Sequence, residues 1–263
     1  MSPDRHAPAG SADARRKQRA KQLVRAVIGE PYVGKRLKQA RMERALDRLD
    51  LDPAAILDAG SEDATFVYWL ADRYVTATVL AVDVDAAAIA ACIDVMPERY
   101  AQRVAFRCET LADLPAESFD LVTAFDVLEH IDDDIGAVHE LVRALRRGGH
   151  LLVHVPRNRW THTNGQVEVV PDDEAWRINP GHVRMGYSPE SLRALLEGAG
   201  LVVVEVDIWL RRWAVRAHRV YRRLEHPAPL RLLSIPVTNL FGHLDRYRPA
   251  EEGNAVWAVA QKR

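Results

Sequence analysis

The sequence predicts an α/β fold, a doubly wound parallel sheet with helices on both faces. From residue 56 onward, short β-branched runs alternate with helical segments, a pattern typical of parallel sheets. The runs are apolar throughout, as expected for strands covered on both faces. Two of them, Ile56–Asp58 and Val79–Asp83, end in a carboxylate. Neighbouring parallel strands present their carboxyl ends at one edge, where nucleotide-like ligands sit, so this pair suggests a ribose-bearing cofactor.

The composition is that of an ordinary globular protein. The 263 residues suffice for one large α/β domain with appendages or for two small domains, and 48% are hydrophobic and 28% charged. The net charge of −1 conceals a basic stretch between Arg15 and Arg48 and an acidic one between Cys108 and Glu140. Such asymmetry can steer partners, although a solvated basic helix is the commoner explanation.

Several features bear on location. The two cysteines, Cys92 and Cys108, are too few for a disulfide framework and fit a reducing compartment. Residues 1–14 are polar and rich in Pro, Ala and Gly, and they lack the apolar core of a secretory signal. We expect them to form a disordered tail. Because no apolar run reaches the length of a membrane span, we expect a cytoplasmic protein.

A helical extension is predicted for residues 15–50, ahead of a domain at 51–263. Its two basic helices are Arg15–Ile28 and Gly34–Leu49. The strands predicted within the domain are Ile56–Asp58, Thr78–Val82, Val104–Arg107, Leu121–Ala124, His150–Val155, Leu201–Val206 and Ala255–Ala260. The predicted helices are Asp63–Arg73, Ala86–Val95, Asp134–Arg146 and Pro189–Gly198.

Capping residues support several of these boundaries. Gly148 and Gly149 are predicted to close the helix before the fifth strand. Ser188 and Pro189 have the residue types of an N-cap and of a first helical residue.

Two segments interrupt the strand–helix alternation. Residues 156–187 show no clear periodicity, and a long irregular segment inside a domain is usually functional or mobile, so we interpret this one as an acceptor lid. Residues 209–245 form a predicted helical insertion, in which Trp209–Leu224 has an apolar stripe and six arginines. We expect Pro227 and Pro229 to end that helix. Its stripe favours packing on the domain, while its arginines could cap the pocket, meet an anionic substrate or rest on an acidic membrane surface.

The first carboxylate-ended run resembles a motif of the class I S-adenosylmethionine-dependent methyltransferases, in particular the bacterial small-molecule type. Their motif is apolar-apolar-Asp-x-Gly-x-Gly-x-Gly, and here Asp58 and Gly60 match it, whereas Glu62 and Ala64 replace the second and third glycines. Glycine in such a turn allows positive φ and close approach to a ligand. Glu62 either forces a different turn or points away from the ligand.

The resemblance extends through three further motifs. Asp83 matches the acid that accepts hydrogen bonds from both ribose hydroxyls, with Val84 beside it, and the alternative for Asp83 is a helix N-cap. Thr110 stands where the family usually has an acid near the adenine amine, and Leu111 would supply a backbone contact. The string from Ser118 to Ile131 resembles the family's fourth strand and following loop.

This resemblance implies a fold, a cofactor and further binding residues. The fold is a Rossmann-like, seven-stranded, mostly parallel sheet, and the cofactor is S-adenosyl-L-methionine. Asp126 and Val127 would lie beside the methionine end of that cofactor. Transfer of the methyl group is an in-line displacement, so the protein mainly positions and desolvates the reactants.

Candidate residues for the chemistry follow from this. His130, just past the fourth strand, is the best general base, and its alternative is a structural histidine bonded to backbone. His154 is a weaker candidate. The other predicted substrate-contacting residues lie on the irregular segment: Trp160, His162, His182 and Arg184. The run Asp132–Asp134 could hold Mg²⁺, but helix capping is the favoured interpretation, so no metal is predicted.

The predicted function is methyl transfer to a small-molecule acceptor, such as a secondary metabolite, a sugar or a lipid-linked molecule. The alternative is a non-catalytic binding or scaffold protein of the same fold, motivated by Glu62, Ala64 and Thr110. A nicotinamide enzyme is disfavoured because Gly-x-Gly-x-x-Gly is absent, and the sequence has no RNA-binding module. A nucleic-acid partner is therefore not predicted, membrane contact is the less favoured interpretation, and the oligomeric state, a homodimer included, stays open.

Overall fold

The computed structural model describes residues 16, 19–20, 23–25, 30–162, 166–177, 181–223, 228–245 and 253–263. The predicted tail at 1–14 lies outside the described residues, as does more than half of the predicted helix Arg15–Ile28. The described positions within that helix are helical. No helix among the described residues is both long enough and apolar enough to cross a membrane.

Nine strands and seven α-helices of four residues or more are described. The helices are α1 (Val33–Leu49), α2 (Thr65–Arg73), α3 (Ala86–Asp94), α4 (Asp134–Ala144), α5 (Pro189–Gly198), α6 (Arg212–Arg223) and α7 (Ala228–Asp245). The strands are β1 (Ala55–Ala59), β2 (Thr78–Asp83), β3 (Val104–Cys108), β4 (Phe119–Phe125), β5 (Leu145–Pro156), β6 (Arg159–Thr161), β7 (Val167–Val169), β8 (Leu201–Trp209) and β9 (Ala255–Lys262).

Seven strands form one sheet in the order β3-β2-β1-β4-β5-β9-β8. The pairs from β3 to β5 are parallel, whereas β9 runs antiparallel to both β5 and β8. The chain order reverses between β1 and β4, since β2 and β3 lie on one side of β1 and β4 on the other. The predicted seven-stranded, mostly parallel sheet is therefore confirmed, and its ligand edge is at the carboxyl ends of β1 and β4.

Helices cover both faces of the sheet. On one face, Met42 and Leu46 of α1 and Leu70 of α2 pack with Ile56 and Trp257 in one apolar cluster. On the other face, residues of α4 and α5 such as Leu141 and Leu192 pack with the opposite side chains of the same strands. Successive strand residues enter the two clusters alternately, because strand side chains point to opposite faces. The two-faced burial explains why the strands are apolar throughout.

Several boundaries differ from the sequence prediction. Gly148 and Gly149 do not close α4, which ends at Ala144; both lie inside β5. Strand β5 begins early because Leu145 already pairs with Phe119, and the register then shifts before His150 pairs with Leu121. The glycines occupy this bulge, where Gly148 has φ +81°. The predicted helix cap was thus wrong, although the N-cap role of Ser188 and the first-turn position of Pro189 are confirmed.

The predicted helix Trp209–Leu224 starts later than expected. Trp209 is the last residue of β8, because it pairs with Ala255 of β9, and the helix begins at Arg212. Leu224 and Pro227 lie outside the described residues. Pro229 does not end a helix but lies in the first turn of α7, where a missing amide hydrogen is tolerated.

The segment 156–187 is more ordered than its irregular sequence indicates. Strands β6 and β7 form an antiparallel pair, and a 3₁₀ helix covers Asp172–Arg177. Arg157 and Tyr187 form an isolated bridge, which brings the ends of the segment together. A Cβ at Gly186 would lie 2.2 Å from the Pro156 carbonyl oxygen, so only glycine permits this close backbone crossing.

Candidate functional site

A cavity of about 490 Å³ lies at the carboxyl ends of the central strands. We call it the cofactor cavity. Its volume falls in the range of about 300–1,000 Å³ usual for small-molecule sites. Eight of the predicted site residues line it: Asp58, Gly60, Asp83, Val84, Leu111, Asp126, Val127 and His130. Lys35 and Lys38 of α1 complete one wall, although no sequence signal had pointed to them.

The loop after β1 keeps a glycine-type backbone without its glycines. Gly60, Glu62 and Ala64 have φ of +73°, +45° and +59°, so all three motif positions are left-handed. A Cβ at Gly60 would lie 2.4 Å from Cγ2 of Val127, so glycine is required there. The Glu62 side chain is 72% exposed and pairs with Lys35 at 2.8 Å. Glu62 is nevertheless one of the residues that line the cavity, so neither of the two alternatives for its side chain is decided.

Asp83 ties this loop to the end of β2. One carboxylate oxygen accepts a hydrogen bond from the Glu62 amide at 2.9 Å, and the other accepts from the Asp85 amide at 3.0 Å. Asp85, not Asp83, is the N-cap of α3, since its side chain accepts from Ala87 and Ala88. The alternative interpretation of Asp83 as a helix cap is therefore wrong. Each oxygen of Asp83 keeps a further lone pair for a ligand.

Asp58 lies beneath the loop and is 3% exposed. Burial raises the pKa of its carboxyl to about 7, and the hydrogen bond that the Thr123 hydroxyl donates, at 2.5 Å, acts in the opposite direction. The charge of Asp83 also raises the pKa of Asp58, so two interacting carboxyl groups lie at this end of the sheet.

The third motif places a different acid in the cavity wall. Thr110 does not line the cavity; its hydroxyl donates to Asp113 at 2.7 Å and it begins a 3₁₀ turn. Glu109 and Leu111, on either side, do line it. One carboxylate oxygen of Glu109 is buried with no hydrogen-bond partner among the described residues. The sequence argument concentrated on Thr110 and missed Glu109, because burial of one carboxylate oxygen leaves no local pattern.

Asp126 is held between two basic groups. The Lys38 ammonium contacts one of its oxygens, and Nδ1 of His154 donates to the other at 2.5 Å. Burial lowers the pKa of Lys38 to about 8, so its ammonium stays charged at pH 7. Burial also lowers the pKa of His154 well below its usual value, so the imidazole is neutral. His154 is 3% exposed and does not line the cofactor cavity; it supports Asp126 from below.

His130 and His182 meet at the rim of the cofactor cavity. Their ring centroids are 4.9 Å apart, and Nδ1 of His130 lies 2.7 Å from the carbonyl oxygen of Gly181. When that nitrogen carries the hydrogen, Nε2 of His130 is left with a free lone pair. Burial lowers the pKa of His182 to about 4, and the nearby His130 lowers it further, so His182 is neutral at pH 7.

Glu129 lies directly under these two rings. It is 1% exposed, and burial raises the pKa of its carboxyl to about 7. Ligand atoms of Glu129, His130 and His182 lie within 4.8 Å of one another, the one such group among the residues that the structure describes. Two imidazoles and a carboxylate are a known ligand set for transition metals.

Arg184 and the three aspartates have structural partners. Arg184 pairs with Asp134 and donates to the Ile131 and Asp132 carbonyls at 2.8 and 2.7 Å. The Asp133 carboxylate accepts from the Gly136 amide at 2.8 Å and so caps α4. The capping interpretation of this acidic run is therefore supported at Asp133. Arg184, predicted to contact substrate, lies in a salt bridge that anchors residues 181–187.

Trp160 and His162 line a second cavity, which has no lining residue in common with the cofactor cavity. Its volume is about 430 Å³, and its other wall is α6. Tyr32 at the start of α1 stacks edge-on against His218 of this wall, with ring centroids 5.7 Å apart. The predicted substrate residues thus fall into two groups that the structure does not bring together.

A family model described as a methyltransferase domain matches residues 33–206 of the chain. The chain belongs to the class I S-adenosylmethionine-dependent methyltransferases. The methyl donor of this family is S-adenosylmethionine. The match covers α1 as well as the strands from β1 onward, so the helix that carries Lys35 and Lys38 is part of the shared domain.

Curated relatives from bacteria agree with this membership. The chain is 36% identical over 150 residues to a probable S-adenosylmethionine-dependent methyltransferase of Mycolicibacterium smegmatis, covering 56% of this chain and 52% of the relative. It is 29% identical over 188 residues to a ubiquinone biosynthesis O-methyltransferase of Xanthomonas euvesicatoria, covering 69% and 77%. The chain spans about half the length of the mycobacterial relative it matches.

Solved structures share the fold of this methyltransferase at low identity. The cyclase SpnF superposes with a TM-score of 0.61 at 20% identity, covering 97% of each chain. An S-adenosylmethionine-dependent methyltransferase from Mesorhizobium loti superposes with a TM-score of 0.56 at 17% identity, covering 86% of this chain and all of the other.

The residues of the cofactor cavity fit S-adenosylmethionine. Gly60 lines the cavity and has no side chain, so the backbone of the loop can approach a ligand closely. The Ser61 hydroxyl oxygen and one oxygen of Glu109 are buried with no partner among the described residues, and both line the cavity. Buried polar atoms of this kind are normally satisfied, so a polar ligand accounts for them.

Proposed function

We propose that this chain transfers the methyl group of S-adenosylmethionine to a small-molecule acceptor. The observation that carries the proposal is the backbone of the loop after β1. Three left-handed residues, two of them not glycine, hold the loop close to Asp83. Left-handed backbone costs about 1–2 kcal/mol per L-residue, and such strain concentrates at ligand sites.

Each residue of the cavity has a role in this proposal. Asp83 accepts hydrogen bonds from the ribose hydroxyls, since its oxygens face the cavity at the end of β2. Val84 and Leu111 pack on the adenine, and Glu109 accepts from its amine. Gly60 and Val127 lie beside the methionine part, where Asp126 supplies negative charge. When bound, the cofactor supplies a methyl group that its sulfonium already activates.

His130 is the proposed general base for the acceptor. Its Nδ1 is committed to the Gly181 carbonyl, so Nε2 can take a proton from an acceptor hydroxyl or amine. Because Glu129, His130 and His182 could also hold a metal, the two roles need separation. We expect His130→Ala to lower turnover and dialysis against EDTA to leave it unchanged. A loss on EDTA treatment that Zn²⁺ or Mn²⁺ restores would assign His130 to a metal instead.

The acceptor is proposed to be a secondary metabolite, a sugar or a lipid-linked molecule. The relatives support a bacterial small-molecule setting, since one group is named for O-methylation in ubiquinone biosynthesis. Acceptor screening with methyl-labelled cofactor tests this directly, by counting the label that moves to each candidate.

Binding of S-adenosylhomocysteine tests the cofactor site without knowledge of the acceptor. By calorimetry, we expect wild-type protein to bind and Asp83→Ala to bind roughly 100-fold more weakly, because about two charge-assisted hydrogen bonds are lost. Asp85→Ala is the matched control; it loses a helix cap, about 1 kcal/mol of stability, but no ligand contact. No heat with the wild type at millimolar ligand, or equal losses in both variants, would contradict the proposal.

A second candidate function is cofactor binding without methyl transfer. The fold of this chain is similar to that of a protein named as a cyclase over 97% of both chains, and this similarity motivates the second candidate. The distinguishing result is tight binding of S-adenosylhomocysteine together with no label transfer to any acceptor in the screen.

A further inference from the structure

The second cavity combines an aromatic side chain with a cluster of cations. It lies between β6 and α6, and we call it the arginine cavity. Trp160 and His162 form one wall, and five residues of α6 form the other: Val215, His218, Arg219, Arg222 and Arg223. Cavities of about 430 Å³ can hold a small molecule or a large part of one.

The packing of α6 presents these cations to the cavity. Ala214, Ala217 and Tyr221 are buried against the domain, which confirms the predicted apolar stripe. The arginines therefore project from the remaining face. Arg216 lies over the Trp213 ring at 4.7 Å, whereas Arg222 and Arg223 line the cavity. Guanidinium groups suit planar oxyanions because they donate two parallel hydrogen bonds.

The wall of the arginine cavity contains no carboxylate among the described residues. His162 of this wall pairs with Glu168 at 3.0 Å. The cofactor cavity differs, since its two lysines each have a carboxylate in contact: Lys35 with Asp63, and Lys38 with Asp126. The charges of Arg222 and Arg223 can thus be neutralised by an anionic ligand in the cavity.

His218 is a neutral hydrogen-bond donor among the cations of this cavity. Burial lowers its pKa to about 4, and Lys38, Arg222 and Arg36 lower it in the same direction. The imidazole is therefore neutral at pH 7 and can donate a hydrogen bond to an anion. A neutral donor surrounded by fixed cations is a suitable neighbour for an oxyanion.

The arginine cavity adjoins the cofactor cavity through α1. A Cβ at Gly34 would lie 3.0 Å from Cε1 of His218, while Lys35 and Lys38, in the next turn, line the cofactor cavity. The first turns of α1 therefore contact His218 of the arginine cavity and also line the cofactor cavity.

We propose that the arginine cavity binds an oxyanion group, phosphate or carboxylate, of the methyl acceptor. The acceptor class is then an anionic small molecule with a ring or apolar part that packs on Trp160. Only the identification of the ligand as the methyl acceptor rests on the proposed methyl transfer. The anion site itself is argued from the residues of α6 and β6.

Calorimetry of the full chain with inorganic pyrophosphate and with citrate tests the anion site. We expect binding that weakens as salt rises, and a loss of at least about tenfold in the double variant Arg222→Gln/Arg223→Gln. The matched control is Arg147→Gln/Arg193→Gln, which removes the same two charges outside the cavity and is expected to change affinity by less than about twofold. Absence of binding to either anion and to anionic vesicles, or equal losses in both double variants, would overturn the proposal.

Two further arms separate the sources of the anion and the two proposals. The first arm uses vesicles of phosphatidylglycerol, with phosphatidylcholine vesicles as the control. If the first bind wild type but not the α6 variant, and the second bind neither, the oxyanion belongs to a lipid headgroup. Binding of S-adenosylhomocysteine is expected to be equal in wild type and both double variants. A wild type that binds pyrophosphate but not S-adenosylhomocysteine retains the anion site while the methyl-transfer proposal fails.

Discussion

Individual side chains of the cofactor cavity are held in unusual protonation states by burial. The carboxyl groups of Asp58 and Glu129 keep their protons to about pH 7. The pKa values of His154 and His182 lie below the usual value, so both imidazoles are neutral at pH 7. Groups with such shifts concentrate at functional sites, although structural clusters show them as well. Asp58 lines the cofactor cavity, and Glu129 and His182 lie beside His130, which lines it as well.

Asp58 makes stability depend on pH in a defined direction. Its native pKa, about 7, lies above its ordinary value of 3.8, so between these values the native state holds a proton that the unfolded state has lost. Stability from this group is therefore lost as pH rises through about 7, by up to about 1.4 kcal/mol per pH unit. We expect wild type to lose about 2 kcal/mol relative to Asp58→Asn between pH 5 and 8, measured by urea unfolding.

Asp120 provides the control of opposite sign. Its pKa is lowered, because hydrogen bonds from the Ala55 amide and Arg146 outweigh burial, so its contribution is present at neutral pH and lost only as pH falls below about 4. The stability difference between wild type and Asp120→Asn is expected to stay flat between pH 5 and 8. If the stability difference between wild type and Asp58→Asn also stays constant between pH 5 and 8, Asp58 ionises normally in the fold.

Lys38 places a positive charge in the wall that receives the cofactor. S-adenosylmethionine is a sulfonium cation and S-adenosylhomocysteine is not, so removal of this charge favours the first over the second. We expect Lys38→Met to raise the preference for S-adenosylmethionine by roughly threefold to tenfold, measured as the ratio of two dissociation constants. Arg193→Met, on the exposed side of α5, is expected to leave the ratio unchanged; a fall in the ratio for Lys38→Met would contradict the assignment.

The left-handed residues of the loop after β1 can be tested by substitution. Gly60→Ala meets Val127 and a positive φ, so we expect a loss of about 2 kcal/mol in the free energy of unfolding and loss of cofactor binding. Glu62→Gly relieves left-handed strain but adds freedom to the unfolded chain, so a gain of about 0.5 kcal/mol is expected. Lys35 keeps its pair with Asp63 in that variant. Chemical unfolding decides the matter, and a loss above about 1 kcal/mol in Glu62→Gly would show that its side chain is structurally required.

Local signals predicted most elements, because apolar runs and caps act over a few residues. Ser188–Pro189 and the run ending at Asp83 were located from sequence alone. Helix α7 falls within the predicted helical insertion 209–245, but its bounds were not predicted, since proline, as at Pro229 and Pro236, has the signature of a helix end. The bulge in β5 was missed for a related reason, because Gly148–Gly149 has the same residue types in a helix cap and in a bulge.

The contacts that complete the site are long-range, and no local pattern marks them. Lys38 and Asp126 are 88 residues apart, and His154 approaches the same carboxylate from 28 residues further on. Periodicity indicates which face of α1 is apolar but not which strand end its lysines reach. The family resemblance supplied Asp58, Asp83 and Asp126, whereas Lys35, Lys38 and Glu109 became visible only in three dimensions.

At the scale of the molecule, α1 joins both halves of the sheet. Lys35 and Lys38 contact the loops after β1 and β4, while Arg41, 6% exposed, bonds Glu205 at 2.5 Å and Asp207 at 3.2 Å on the edge strand β8. The Arg41 guanidinium also lies over the Trp257 ring at 5.6 Å. Helix α1 thus couples the cofactor cavity to the far edge of the fold.

Substitution of Arg41 tests this coupling. Arg41→Ala leaves two carboxylates short of a partner in a half-buried position, so we expect a loss of about 3 kcal/mol in unfolding free energy and weaker S-adenosylhomocysteine binding. Arg48→Ala removes a more exposed bond to the same Glu205, and we expect a loss below about 1 kcal/mol with unchanged binding. Urea unfolding and calorimetry measure the two effects; equal, small losses would mean that α1 is held by its apolar face alone.

The position of β9 between β5 and β8 sets the timing of folding during synthesis. Strand β5 ends at Pro156, but its neighbour β9 begins at Ala255, about a hundred residues later. At a translation rate of about 5–20 residues per second, the apolar edge of β5 waits roughly 5–20 seconds on the ribosome for its partner. We therefore expect a nascent chain to expose this apolar edge until β9 has been synthesised.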